Sequence, residues 1–91
     1  VKEEFPFKEK QLEKNTSIRE FGENIDSKEL IWHKDKEDRI VEVLSNENWF
    51  FQMDNELPKK LEGKVFVPKE TFHRVIKGTG NLSVKITKLY T

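Results

Sequence analysis

The chain holds two histidines, His33 and His73, and an aspartate, Asp35, two residues beyond the first. In an extended segment residues i and i+2 point to the same side. The imidazole of His33 and the carboxylate of Asp35 therefore converge while Lys34 faces away. His73 lies in "TFHRVIK" and shares a face with Val75, an inward face if Val75 packs in a core. Two imidazoles and one carboxylate on an inner wall form a 2-His-1-carboxylate triad. That set leaves up to three positions on a metal open and suits non-haem Fe(II) chemistry, with Mn(II) and Zn(II) matched by the same ligand hardness. There is no cysteine, which removes thiolate ligation and any disulfide framework.

The elements that must position these residues are short. "IWHKDKEDRIVEVL", residues 31–44, is an apolar run interrupted by a charged knot without the Gly or Pro of an ordinary loop. A barrel wall that presents polar ligands inward needs such an interruption. From Thr16 onward strand-like runs alternate with turn signals: "TSIREF", "KELIWHK", "RIVEVLS", "NWFFQM", "KVFV", "FHRVIK" and "LSVKITKLY". Leu82, Val84 and Ile86 alternate with Ser83, Lys85 and Thr87, the period of a strand with one buried face. Asp54-Asn55 and "GTGN" at 78–81 read as hairpin turns. Runs of this kind predict an all-β fold, a small antiparallel barrel or jelly roll, over residues 16–91. Residues 1–15 read as an N-terminal arm around Phe5-Pro6-Phe7, in which "KEKQLEK" suits one short helical turn.

Composition bounds the rest. Ninety-one residues make one domain, and 37% charged against 34% hydrophobic residues makes it polar for a globular chain. Seven Phe, two Trp and one Tyr supply the large buried areas such a core needs. No run approaches the roughly 20 apolar residues of a membrane span, and no signal-peptide pattern opens the chain. A cytoplasmic protein without membrane partners is the expectation. The net charge of zero divides unevenly, −6 over residues 1–57 and +6 over residues 58–91. No basic stripe with interleaved aromatics accompanies it, so a nucleic-acid partner is not expected.

The stretches "WHKDKEDRIVEVLSNENWFFQ" and "EGKVFVPKETFHRVIKGTGNLSVKI" resemble the two motifs of the cupin family, and the resemblance covers about residues 27–90. The first family motif runs G-x(5)-H-x-H-x(3,4)-E-x(6)-G. This chain keeps His33 there, sets Asp35 at the second histidine and Arg39 at the glutamate, and carries Ser27 and Asn46 at the glycines. The second motif, G-x(5)-P-x-G-x(2)-H-x(3)-N, keeps Pro68 and His73. It carries Glu62, Glu70 and Lys77 elsewhere, with Gly63 one place off. The resemblance implies a small β-barrel, commonly dimeric, with a divalent metal such as Fe, Mn or Zn held at His33, Asp35 and His73.

His-x-Asp with a distant His also resembles the ligand order of 2-oxoglutarate oxygenases. In that reading Arg39 is a bidentate clamp for an anionic small molecule, since its guanidinium stays protonated and cannot ligate a metal. The expectation thus leans to a metal-dependent oxygenase acting on a small anionic substrate. The alternative is a metal-free cupin, a ligand-binding or dimerising module in which Asp35 and Arg39 form an ion pair where the metal would be. Trp49, Phe51 and Met53 share one face and read as core, with Trp49 and Phe51 also candidates to line the substrate pocket. Glu37 and Asp38 read as solvated turn charges, and Trp32 as an outward residue suited to an interface. Ile40 and Leu44 lie opposite the Arg39, Val41 and Val43 side of their strand. Two apolar faces need two covers, and a homodimer is the expected second one.

Overall fold

A period of two between apolar and polar residues forces strands with one face to the core, and strands are what the chain forms. The structure, a computed structural model, describes residues 8–24 and 30–90. In order they are β1 (Lys8–Glu13), β2 (Thr16–Phe21), β3 (Asp38–Ser45), β4 (Phe50–Met53), β5 (Lys59–Lys60), β6 (Lys64–Val67), β7 (His73–Ile76) and β8 (Leu82–Leu89). Among the described residues there is no helix, and so none long and apolar enough to cross a membrane. Every pairing is antiparallel, in a five-stranded sheet ordered β1-β2-β8-β3-β6 and a three-stranded sheet ordered β5-β4-β7. The all-β, antiparallel jelly-roll expectation is met.

The core lies between the sheets. Leu82, Val84 and Ile86 of β8 are buried with Val65 and Val67 of β6, facing Phe51 of β4, Leu61 and Trp49. A side chain as fully buried as Leu82 or Val67 contributes about 1.5–3 kcal/mol. Trp49, 0% exposed, fills one end of the sandwich. Its ring lies 5.9 Å from that of Phe21, and its indole N–H donates to the Gly80 carbonyl at 3.1 Å. Asn46 ties the same end together by accepting the Trp49 N–H and donating to the Trp49 and Leu61 carbonyls.

Three local expectations are corrected. Residues 8–13 pair with β2 as an edge strand and form no helical turn, because alternation along "KEKQLE" is satisfied by the open edge of the sheet. The remainder of the expected arm, residues 1–7, lies outside the described residues. "KELIWHK" does not run as a strand within the described residues: after Leu30 only His33 makes a ladder contact. The "GTGN" turn is no hairpin, since β7 pairs with β4 while β8 lies between β2 and β3. It carries the chain from one sheet to the other. The Asp54-Asn55 turn does form, with the Glu56 N–H donating to the Met53 carbonyl and Asn55 at a φ of 62°.

The sheet-to-sheet turn leaves no room at Gly78. A methyl group there would overlap the backbone carbonyl and side-chain oxygen of Asn48, which itself accepts from Thr79 N–H and Oγ. Gly22 has open space around it. Gly78→Ala should therefore cost about 1–3 kcal/mol through forced backbone movement. Gly22→Ala should stay within about 0.5 kcal/mol. Urea unfolding of the two variants checks the contrast, and equal midpoints would show that the 78–81 turn yields freely.

Candidate metal centre

The charged knot is held against the start of β7 by its backbone. His33 and His73 face each other as an isolated antiparallel bridge and exchange both hydrogen bonds, His33 N–H to His73 O at 3.0 Å and His73 N–H to His33 O at 2.8 Å. Directly opposed residues of such a pair send their side chains to the same face. The two imidazoles consequently meet edge to face, with centroids 4.3 Å apart and planes at 61°. Two residues on, Glu70 N–H donates to the Asp35 carbonyl at 2.7 Å, so Asp35 points the same way as His33. Lys69 N–H then donates to the Asp38 carboxylate at 2.7 Å, closing the loop onto β3.

The outward residues brace this arrangement. The Arg74 guanidinium lies 4.9 Å from the Trp32 ring centroid, and the Lys34 ammonium 5.2 Å from that of Phe72. Contacts of this kind contribute about 0.5–1 kcal/mol each at exposed positions. They account for the alternation in "WHKD": His33, although exposed, and Asp35 line the cavity, while the aromatic and the cation lie on the other side.

His33, Asp35 and His73 each offer a ligand atom, and these atoms all lie within 4.8 Å of one another. Both histidines hold their Nδ1 against a carbonyl two residues back, Ile31 O at 2.9 Å for His33 and Thr71 O at 2.8 Å for His73. A carbonyl oxygen only accepts, so each Nδ1 carries a proton, and in the neutral ring Nε2 is then the lone pair. That is how protein ligands orient imidazoles toward a metal. His73 Nε2 sits 3.3 Å from Asp35 Oδ2, a buried oxygen with no hydrogen-bond donor. The donor set fits a divalent cation: two imidazole nitrogens and one carboxylate, whose Oδ2 is a buried acceptor with no hydrogen-bond partner.

Asp35 Oδ1 faces the other way, 3.2 Å from an Arg39 terminal nitrogen. Arg39 also donates from Nε and the same terminal nitrogen to Glu37 Oε1, at 3.0 and 2.7 Å. Of the two roles open to Arg39, the ion pair with Asp35 is therefore present. Glu37 was expected in solvent and is not: its side chain is 13% exposed, like that of Arg39. Residues 35, 37 and 39 alternate along one side of the chain, which was the available signal. Burial works to raise the pKa of Asp35. When the imidazoles are protonated, a hydrogen bond from His73 Nε2 and the charges of Arg39, His73 and His33 outweigh it, holding the carboxyl below its ordinary value.

Behind the triad a cavity of about 360 Å³ opens between the sheets. Its walls are apolar, including Phe51, Leu61 and Val67, and Arg39 and Arg19 reach it from the larger sheet. Phe51 lies beside the triad, its ring 5.7 Å from that of His73. Trp49 is not part of the cavity wall and belongs to the core behind it. Arg19, which β2 turns inward and which donates to Glu9 at 2.7 Å, joins this wall with no motif in the sequence to mark it.

No protein-family model matches the sequence, and no curated protein matches it. Solved structures do. A structure of the DMSP lyases RdDddP and RnDddQII superposes with a TM-score of 0.70 at 18% identity, over 84% of this chain and 38% of the lyase chain. The Fe(II) form of HppE matches with a TM-score of 0.61 at 15% identity, over 81% of this chain and 41% of its own. A cupin domain from Bordetella pertussis Tohama I matches with a TM-score of 0.57 at 14% identity, over 98% of this chain and 100% of that domain. The chain has the cupin fold. It spans about two-fifths of the length of the lyase and HppE chains and the whole of a single cupin domain. Within that fold Glu70 stands where the cupin motif places glycine, and it takes a φ of 59°. Left-handed backbone of this kind is most readily adopted by glycine, and here it carries a side chain.

A carboxylate whose pKa is lower folded than unfolded stabilises the fold fully above its unfolded value, near 3.8 for Asp35. That contribution is lost as pH falls through the lower folded value. In chelator-treated protein, unfolding free energy should fall more steeply below about pH 4 for the native chain than for Asp35→Asn. Urea titrations at stepped pH measure this, and parallel profiles would mean Asp35 contributes nothing through its charge.

Proposed function

We propose that this cupin domain holds one divalent transition metal, Fe, Mn or Zn, through Nε2 of His33 and His73 and the carboxylate of Asp35. We propose further that it acts as a non-haem oxygenase on a small anionic substrate. The observation that carries the metal is the partnerless Asp35 Oδ2 facing the lone pair of His73 Nε2 at 3.3 Å. Two acceptors opposed in a water-poor pocket repel each other, and a cation between them turns that repulsion into ligation. The likeness to Fe(II)-HppE supports metal chemistry on this scaffold.

When bound, such a metal supplies Lewis acidity and, for iron, redox capacity at positions the three side chains leave open. The chain's own residues do the rest. Phe51, Leu61 and Val67 keep water from the inner side of the triad. A cavity of about 360 Å³ limits the ligand to a small molecule. Its cations, Arg19 and Arg39, favour an anionic group, although Glu9 beside Arg19 and Asp35 and Glu37 beside Arg39 offset part of that field. The Arg39–Asp35 ion pair favours a second reading, a metal-free module in which a protonated His73 donates to Asp35 and the cavity only binds.

Metal uptake separates the two. Fe(II), Mn(II) or Zn(II) added to chelator-treated protein should raise its Tm, because ligands assembled only in the folded state convert binding into stability. His73→Ala should abolish the rise. An unchanged melting curve with all three metals would leave the metal-free reading standing.

The outer face of the larger sheet carries apolar residues that no other described residue buries. Ile40 lies opposite Phe66 in the ladder, and Phe66 and Leu44 are 52% and 47% exposed. We propose that this face seats a second copy. Sedimentation at micromolar concentration should give a dimer, and Phe66→Glu a monomer. A native chain that sediments only as monomer would overturn the assembly.

A further inference from the structure

We infer that Arg39 is a positioning residue for the metal centre, pinned by Glu37 so that it takes one oxygen of Asp35 and leaves the other for the metal. The inference rests on the metal reading above. A lone carboxylate on a loop has several options: it can rotate toward solvent, pair with a neighbouring lysine, or ligate through both oxygens. Here the options are closed one by one. Oδ1 is engaged by Arg39 at 3.2 Å, and Oδ2 is left facing His73. The guanidinium cannot swing away, because Nε and one terminal nitrogen both donate to Glu37 Oε1 at 3.0 and 2.7 Å. All three side chains are largely out of water, at 12–13% exposed, so the pairing is weakly screened.

Charge alone gives no reason for an arginine here. A guanidinium beside a divalent site repels the cation, and its removal would tighten binding on that ground. Glu37 cancels this cost. With two neutral imidazoles, Asp35, Arg39 and Glu37 sum to −1, the same as the triad without the arginine–glutamate pair. What the pair adds is direction: a guanidinium whose fork is held by Glu37 presents one nitrogen to Asp35 Oδ1 and so fixes the carboxylate rotamer.

The sign of one substitution decides between the two accounts. Co(II) binding to the full chain is measured by calorimetry and by its visible absorption, with the Tm of the metal-free protein taken alongside. Arg39→Gln should weaken Co(II) binding about tenfold or more, as loss of groups that orient metal ligands does. Arg39→Lys keeps the charge but not the fork. It should weaken binding in the same direction, alter the Co(II) absorption envelope, and leave the metal-free Tm close to native. If Arg39→Gln binds Co(II) as tightly as the native chain or more tightly, the residue acts through charge and the inference falls. Should Arg39→Gln not fold, Arg39→Lys decides alone, and native affinity in that variant overturns the inference. A native chain that takes up no Co(II) would instead remove the metal reading, and this inference with it.

Discussion

The two hydrogen bonds exchanged between the backbones of His33 and His73 are the constraint on which the site depends. They turn a charged loop into a one-residue extension of the smaller sheet. Because opposed residues of an antiparallel pair share a face, they also make two histidines, distant in sequence, into neighbours. The bonds at Asp35 and Asp38 continue the same seam toward β3. The carbonyls of Ile31 and Thr71, fixed by that seam, set the ring tautomers. Thus backbone pairing decides which nitrogen of each imidazole faces the cavity.

On this frame the electrostatics are arranged in alternation. Residues 33, 35, 37 and 39 carry imidazole, carboxylate, carboxylate and guanidinium along the loop and into β3. The carboxylates of 35 and 37 both contact the guanidinium of 39. Each buried charge has a partner of opposite sign, which is the condition for keeping it out of water at tolerable cost. The exception is the second oxygen of Asp35, and that exception lies beside the Nε2 of His73. The Arg39 charge that helps hold the Asp35 carboxyl below its ordinary pKa against burial leaves it able to serve as an anionic ligand.

The cavity draws on the core for its walls. Phe51, Leu61, Val67 and Leu82 belong both to the hydrophobic cluster and to the lining. A domain of this size has one interior, so space for a ligand is space not packed by side chains. The fold compensates at its closed end, where Trp49, Asn46 and the 78–81 turn interlock. It also keeps Glu70 in a left-handed turn that lets the Glu70 N–H reach the Asp35 carbonyl.

The sequence by itself determined the all-β architecture, the limits of most strands from β2 onward, and the inward set His33, Asp35 and His73. Period-two alternation and turn residues are local signals, and i, i+2 geometry carries ligand direction within one segment. It also marked Arg39 as inward but left its partner open. Only the structure decided between a free clamp and an ion pair: Asp35 and Glu37, on the same side of the chain as Arg39, both reach its guanidinium. Pairing partners were equally beyond it. "KEKQLE" joins the larger sheet because an edge beside β2 is open to it, and "GTGN" crosses between sheets because β8 finds its neighbours in β2 and β3. Trp49 and Phe51 look alike along the strand, yet one plugs the closed end and the other lines the cavity. That difference arises from what the opposite sheet places above each of them, a non-local fact settled only when both sheets close.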